Sequence, residues 1–172
     1  MQICGGRTYL FRVIIAESAC RVGEKLMPET SNKPKILIIE DDEMTALVER
    51  STLEVAGYRV DDVREGYVGL DRLQGTDYDL VVLDYMLPDL RGDEVLERIG
   101  RERLARLPVL VVTGYNDPVL AARLKESGAS GFLAKDSSMI FLDELPRQVA
   151  ALMARAASQS DAALQPGGSD GE

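Results

Sequence analysis

Short apolar runs alternate with amphipathic stretches through the middle of the chain. Three of the runs (Ile-Leu-Ile-Ile, Leu-Val-Val-Leu and Val-Leu-Val-Val) are apolar at every position instead of every second one. A strand that is buried on both faces has this composition, which is typical of a parallel sheet covered by helices. With two further runs, the pattern predicts strands at 35–39, 58–63, 80–83, 109–113 and 131–134.

Apolar residues between these runs recur every three or four positions, as on one face of a helix. The predicted faces consist of Met44, Leu47, Val48 and Val55; of Val95, Leu96 and Ile99; of Leu120 and Leu124; and of Leu142, Leu145, Val149 and Leu152. The alternation predicts an α/β fold of the (βα)5 type, with a parallel sheet and right-handed crossovers.

Helix ends are predicted from glycine, proline and aspartate. Gly57 and Gly128 stand where a left-handed C-terminal cap is expected. Asp117 is predicted to be an N-cap, followed by Pro118 at the first helical position. Pro146 is unfavourable in a helix that begins near residue 138, so the regular part of the last helix is predicted to begin later.

Composition divides the chain into three parts. Residues 1–34 are predicted to be an extension and linker, 35–155 a single domain, and 156–172 a disordered tail that cannot bury a core. Met27 precedes the linker closely, so we expect residues 1–26 to be either not native or dispensable.

The balance of charged and reactive residues excludes several functions. The formal net charge is −9 and histidine is absent, which excludes a histidine base, metal ligand or phosphocarrier and disfavours direct binding to nucleic acid. The chain has two cysteines, Cys4 and Cys20, which do not suggest a disulfide framework. A reducing, cytoplasmic location is therefore expected. No apolar run has the length of a membrane span, and the short run at 9–16 is interrupted by Arg12.

Polar residues lie at the carboxyl ends of four of the predicted strands. Glu40-Asp41-Asp42 follow the first strand, Asp84 the third and Lys135 the fifth, and Thr113 ends the fourth. Each residue alone has an ordinary interpretation as a helix start, a strand residue or a surface lysine. Together they favour a functional site, because ligands of open α/β sheets bind beyond the carboxyl ends of the strands.

The residue types at these ends predict phosphoryl chemistry with a hard cation. Clustered carboxylates repel one another unless a cation neutralises them, and Mg²⁺ prefers oxygen ligands. Asp84 is then the expected nucleophile toward a phosphoryl group. Lys135 and the Thr113 hydroxyl are expected to stabilise the phosphoryl oxygens.

Four motifs resemble the receiver domain of response regulators. They lie at 36–42, 84–92, 112–114 and 131–135. The resemblance implies a flavodoxin-like doubly wound sheet with strand order 2-1-3-4-5, for which the chemotaxis regulator is a standard example.

The resemblance also assigns roles to individual residues. It implies that Asp84 is the phosphoacceptor, that Asp41, Asp84 and the Met86 backbone carbonyl bind Mg²⁺, and that Glu40 holds a metal-bound water. In that alignment, Asp42 belongs to the start of the first helix.

Further roles concern the switch and the lifetime of the phosphorylated form. Thr113 and Lys135 would sense the phosphate, and Phe132 would be the switch aromatic, with plain packing as the alternative. Met86 and Tyr115 would flank the path of the attacking water and favour a long-lived phosphorylated form, unless Tyr115 points into solvent. Asp136 stands where receivers usually have proline, so the loop after strand five is expected to differ.

The function expected from the resemblance is that of a stand-alone receiver. It would accept phosphate from a sensor histidine kinase or a histidine phosphotransfer protein, without turning over a separate substrate. It would then signal to a downstream protein by a conformational switch, or pass phosphate on in a phosphorelay. The resemblance allows a homodimer through helix four, strand five and helix five, and implies neither nucleic-acid nor membrane binding.

Three alternatives remain open at this point. The first is a non-signalling scaffold with a receiver fold, which the complete set of polar residues disfavours. The second is a receiver fragment of a larger hybrid kinase. The third is a small-molecule phosphohydrolase, which an Asp-x-Asp motif would favour, but Asp84-Tyr85-Met86 lacks the second acid.

Overall fold

The computed structural model describes residues 33–135 and 140–163. Most of the predicted N-terminal extension, the position of Asp136 and residues 164–172 of the predicted tail lie outside these ranges. No helix in the described part of the chain is long and apolar enough to cross a membrane.

Five parallel strands form one sheet in the order β2-β1-β3-β4-β5 within the described residues. This order and the predicted α/β class are confirmed. The sequence-predicted bounds differ from the observed ones by one residue in the second and third strands. The observed strands are β1 Lys35–Ile39, β2 Arg59–Val63, β3 Leu80–Asp84, β4 Val109–Thr113 and β5 Gly131–Ala134.

Helices follow the strands in the expected alternation, with one short addition. Gly100, whose φ is 80°, separates a four-residue helix from the longer helix before it. Helix four and helix five of the sequence prediction therefore correspond to α5 and α6. The helices are α1 Glu43–Val55, α2 Gly66–Gly75, α3 Gly92–Ile99, α4 Arg101–Leu104, α5 Pro118–Glu126 and α6 Phe141–Ala163.

The central strands are buried on both faces, which explains their continuously apolar sequence. Alternate residues of β1 point to opposite sides: Leu37 and Ile39 belong to one core cluster, Ile36 and Ile38 to the other. Side chains of α2, α3 and α5 cover the first cluster, and those of α1 and α6 cover the second. The two cores together hold the carboxyl ends of the strands at one edge.

The predicted buried face of α1 was wrong. Met44, Leu47 and Val55 are exposed, Val55 by 90%. The buried residues of this helix are instead Ala46, Glu49 and Leu53. The rotational phase of α1 is set where the chain leaves β1, because Asp42 caps the helix there by accepting a bond from the Thr45 backbone N–H at 2.7 Å.

Two features of α6 also differ from the prediction. The helix begins later than residue 138, as expected, but contains Pro146. The first turn is held by Phe141 and Leu145, which are buried against the second core, and this burial outweighs the one backbone bond that proline cannot make. The helix also continues to Ala163, into the segment predicted to be disordered, because its alanine-rich sequence has high helix propensity.

The predicted helix ends are confirmed. Gly57 and Gly128 have φ values of 100° and 105°, in the left-handed region that glycine adopts without strain. The Asp117 carboxylate accepts a bond from the Val119 N–H at 2.9 Å, and Pro118 is the first residue of α5.

Candidate functional site

Three carboxylates meet at the carboxyl end of the sheet. Glu40 and Asp41 follow β1, and Asp84 is the last residue of the neighbouring strand β3. One oxygen of each carboxylate lies within 4.8 Å of an oxygen of the other two. Glu40 and Asp84 are only 3% and 8% exposed, whereas Asp41 is exposed. The structure thus brings together the three acids that the sequence predicted to cluster.

Local structure explains which acids of the Glu40-Asp41-Asp42 run enter the cluster. The parallel register pairs Ile39 with Leu83, so the residues that follow β1 lie beside Asp84. Asp42 instead caps the N-terminus of α1. The prediction that Asp42 belongs to the helix start is confirmed.

The Lys135 ammonium lies inside this acidic cluster. It hydrogen-bonds Glu40 Oε2 and lies 3.6 Å from Asp84 Oδ1 and 4.0 Å from Glu49 Oε1. Its backbone N–H donates to the Thr113 carbonyl at 2.8 Å, which fixes Lys135 at the end of β5. The Lys135 ammonium is therefore within 4.0 Å of three carboxylates, those of Glu40, Glu49 and Asp84.

Burial and the neighbouring charges change the pKa values of these groups. Burial raises the pKa of Glu40 and of Asp84, although Lys135 opposes both changes. Burial also raises the pKa of Glu49 to about 8. Burial would lower the pKa of Lys135, but the hydrogen bond to Glu40 and the charges of Glu49 and Asp84 raise it.

The donor set fits a hard divalent cation. Every group offered by Glu40, Asp41 and Asp84 is an oxygen, as Mg²⁺ prefers. Because burial and the neighbouring carboxylates disfavour ionisation of Glu40 and Asp84, an added cation would stabilise their ionised forms.

The loop after Asp84 is held by backbone and side-chain bonds. Met86 forms an antiparallel bridge with Arg91, and the Gly92 N–H donates to the Tyr85 carbonyl at 2.8 Å. Asp89 accepts bonds at 2.8 Å from the first two N–H groups of α2. These contacts order the segment that carries Met86, whose backbone carbonyl remains a predicted metal ligand.

Thr113 and Phe132 lie on the two strands beyond Asp84. Thr113 ends β4, is buried, and pairs with Ala134 of β5. Its hydroxyl oxygen accepts a bond from the Tyr115 backbone N–H at 3.4 Å. Phe132 is partly buried and packs against the core cluster under α2, α3 and α5. Its packing is therefore observed, and its role as a switch stays a prediction.

Two large side chains are exposed on the loops that leave β3 and β4. The exposed fractions are 46% for Met86 and 54% for Tyr115. The predicted effect of these residues on the lifetime of an acyl phosphate stays a prediction.

Sequence reasoning missed Glu49. No role was predicted for it, because the apolar residues of α1 indicated a different buried face. The one available signal was its spacing from Ala46 and Leu53, three and four residues away along the same helical face.

Comparison with protein families gives one match over most of the chain. Residues 36–145 match the model of the response regulator receiver domain. Among curated relatives, the phosphate regulon transcriptional regulatory protein PhoB of Rhizobium meliloti is 34% identical over 124 residues, which are 72% of this chain and 53% of PhoB. The transcriptional regulatory protein TcrA of Mycobacterium tuberculosis is 38% identical over 122 residues, covering 70% and 46% of the two chains. The chain thus spans about half the length of these relatives.

Solved structures show the same fold. The signal receiver domain of a putative Luxo repressor protein from Vibrio parahaemolyticus matches with a TM-score of 0.67 and 26% identity, over 78% of this chain and all of that one. The response regulator protein TrrA of Thermotoga maritima, solved in complex with Mg²⁺-BeF, matches with a TM-score of 0.61 and 25% identity, over 69% and 98% of the two chains.

Proposed function

The chain belongs to the response regulator receiver domain family, and from this premise we propose that it accepts a phosphoryl group on Asp84. The observation that carries the proposal is the position of this carboxylate. It is buried beside two other acids, and its Oδ1 is 3.6 Å from the Lys135 ammonium.

The proposed reaction is a transfer between two proteins. An oxygen of Asp84 attacks the phosphorus of a phosphohistidine, the phosphorus–nitrogen bond breaks, and the histidine leaves as a neutral imidazole after taking up a proton. The donor histidine is not supplied by these 172 residues, since they contain none. A sensor histidine kinase or a histidine phosphotransfer protein is the proposed donor.

The residues around Asp84 would bind the cation and the phosphoryl oxygens. Asp41, Asp84 and the Met86 carbonyl would hold Mg²⁺, with Glu40 reaching it through a water. The bound cation would supply positive charge to the phosphoryl oxygens. Lys135 and Thr113 would hold two of those oxygens, and water would later hydrolyse the acyl phosphate. The protein would catalyse only its own phosphorylation and dephosphorylation.

The proposed output is a conformational change on one face of the domain. Withdrawal of Thr113 toward the phosphoryl group would alter the face formed by α5, β5 and α6, where a downstream protein or a second copy would bind. Relatives such as PhoB are named as transcriptional regulators. Because the match covers about half of them, a transcriptional output would need a DNA-binding part beyond the matched region.

Intact-protein mass spectrometry tests the proposal. Incubation with a small acyl phosphate and Mg²⁺ should add one phosphoryl group, and EDTA should prevent the addition. Asp84→Asn should abolish it with the fold unchanged, whereas the matched Asp61→Asn variant should be labelled normally. Label that persists in Asp84→Asn would place the acceptor elsewhere, and turnover without label would favour a phosphohydrolase.

A further inference from the structure

Glu49 occupies a position where packing alone would favour an apolar residue. It lies with Ala46 and Leu53 on the buried face of α1 and is 0% exposed. Neither of its carboxylate oxygens has a hydrogen-bond partner among the described residues. Burying such a group costs several kcal/mol, while Leu47 and Val55 of the same helix face solvent.

The charged groups that act on Glu49 come from three strands. Glu40 after β1 and Asp84 of β3 repel its carboxylate, and Lys135 after β5 attracts it. The Lys135 ammonium is 4.0 Å from Glu49 Oε1. The only attraction that offsets the burial of Glu49 within the described region therefore comes from Lys135.

We propose that Glu49 is a positioning residue that restrains the Lys135 ammonium, so that a phosphoryl group on Asp84 has to compete with Glu49 for this lysine. The inference rests on the proposed function, in which Glu40 and Asp84 interact with the cation and Asp84 carries the phosphoryl group. Glu49 interacts with neither and remains available to pair with Lys135. Neutralising Glu49 frees the lysine and removes one charge that repels an anionic phosphodonor.

The first test measures the pairing without any phosphorylation. Lysine side chains of the full-length protein are titrated by ¹³C NMR in metal-free buffer, and the Lys135 signal is assigned with Lys135→Arg. In Glu49→Gln, the Lys135 ammonium should titrate about one pH unit lower than in the wild type. In the matched variant Glu54→Gln, on the exposed side of the same helix, its titration should not change. An unchanged Lys135 titration in Glu49→Gln overturns the proposal.

The second test measures phosphorylation by phosphoramidate and Mg²⁺ as a function of pH. The rate ratio of Glu49→Gln to wild type should be near one well below the Glu49 pKa of about 8 and should rise to about threefold or more above it. A ratio that is the same at every pH indicates a packing effect and contradicts the proposal.

These outcomes separate the two proposals. If the wild type is never labelled on Asp84, the proposed function fails, while the lysine titration still decides the role of Glu49. If Glu49→Gln does not fold, Glu49→Asp keeps the charge and should keep a raised Lys135 titration. A Lys135 titration in Glu49→Asp lowered by a full unit would then count against restraint by charge.

Discussion

Both ends of the sheet contain lysine and carboxylate side chains, but the pKa of the carboxyl groups is lowered near the amino end and raised at the carboxyl end. Near the amino end, the Lys35 ammonium lies 2.8 Å from Asp61 Oδ2, and the Tyr78 hydroxyl donates to the same oxygen at 2.8 Å. Burial alone would raise the pKa of Asp61, but the bonds from Lys35 and Tyr78 lower it below its ordinary value.

At the carboxyl end, the pKa values move the other way. Burial raises the pKa of Glu40, Glu49 and Asp84, and the attraction of the one Lys135 ammonium near all three does not offset it. One end of the sheet therefore gains stability from its charges, and the other loses stability to them. Closely spaced buried carboxylates are unfavourable for stability but suit a site that has to bind a divalent cation.

Removing the lysine from each end should give the largest difference between them. Lys135→Ala leaves buried carboxylates without their cation and should lower the free energy of unfolding by about 3 to 5 kcal/mol at neutral pH without metal. Lys35→Ala breaks a more exposed pair and should cost about 1 kcal/mol or less. Urea denaturation measures both. Equal losses would show that the two ends do not differ as described.

Lys135→Ala and Thr113→Ala also test the switch. Both variants should still accept phosphate with Mg²⁺ but fail to transmit it, because the contacts with the phosphoryl oxygens are lost. Partner binding or dimerisation that still responds to phosphorylation would contradict this role.

The pH dependence of stability should isolate Glu49. Its pKa is about 8 in the folded protein against an ordinary value of 4.5, so the folded state holds a proton that the unfolded state releases between these values. The free energy of unfolding should therefore fall as pH rises from about 4.5 to 8, by roughly 2 to 4 kcal/mol from Glu49. Denaturation in EDTA should show this slope reduced in Glu49→Gln and kept in Glu54→Gln. Parallel curves for wild type and Glu49→Gln would be incompatible with a buried, titrating carboxyl.

A further prediction concerns the attack of water at the carboxyl end of the sheet. The Met86 side chain has no polar group that could orient a water for attack on the acyl phosphate. The Tyr115 ring is predicted to cover the phosphoryl oxygens and exclude solvent, so the phosphorylated form should be long-lived. Met86→Asn combined with Tyr115→Glu should accelerate phosphate release about tenfold, or about 1.4 kcal/mol in the barrier. Loss of phosphate within seconds from the wild type, or no acceleration in the double variant, would contradict this account.

The sheet and the acidic cluster were predictable for a common reason. Residues that follow parallel strands must meet at one edge, so the strand runs alone placed Glu40, Asp84 and Lys135 together. The buried face of α1 was not predictable from its apolar residues. Its phase depends on the cap at Asp42, and its buried position holds Glu49, which apolar periodicity assigns to the solvent side.

The most direct test of the contrast between the two ends removes one charge from each. In EDTA at neutral pH, Asp84→Asn should raise the free energy of unfolding, because the raised pKa of Asp84 means that its surroundings disfavour the charged form. Asp61→Asn should lower it, because the pKa of Asp61 is depressed. Added Mg²⁺ should then stabilise the wild type and Asp61→Asn more than Asp84→Asn. If Asp84→Asn is instead destabilised in EDTA, as Asp61→Asn is, the carboxyl end does not hold uncompensated charge and the account is wrong.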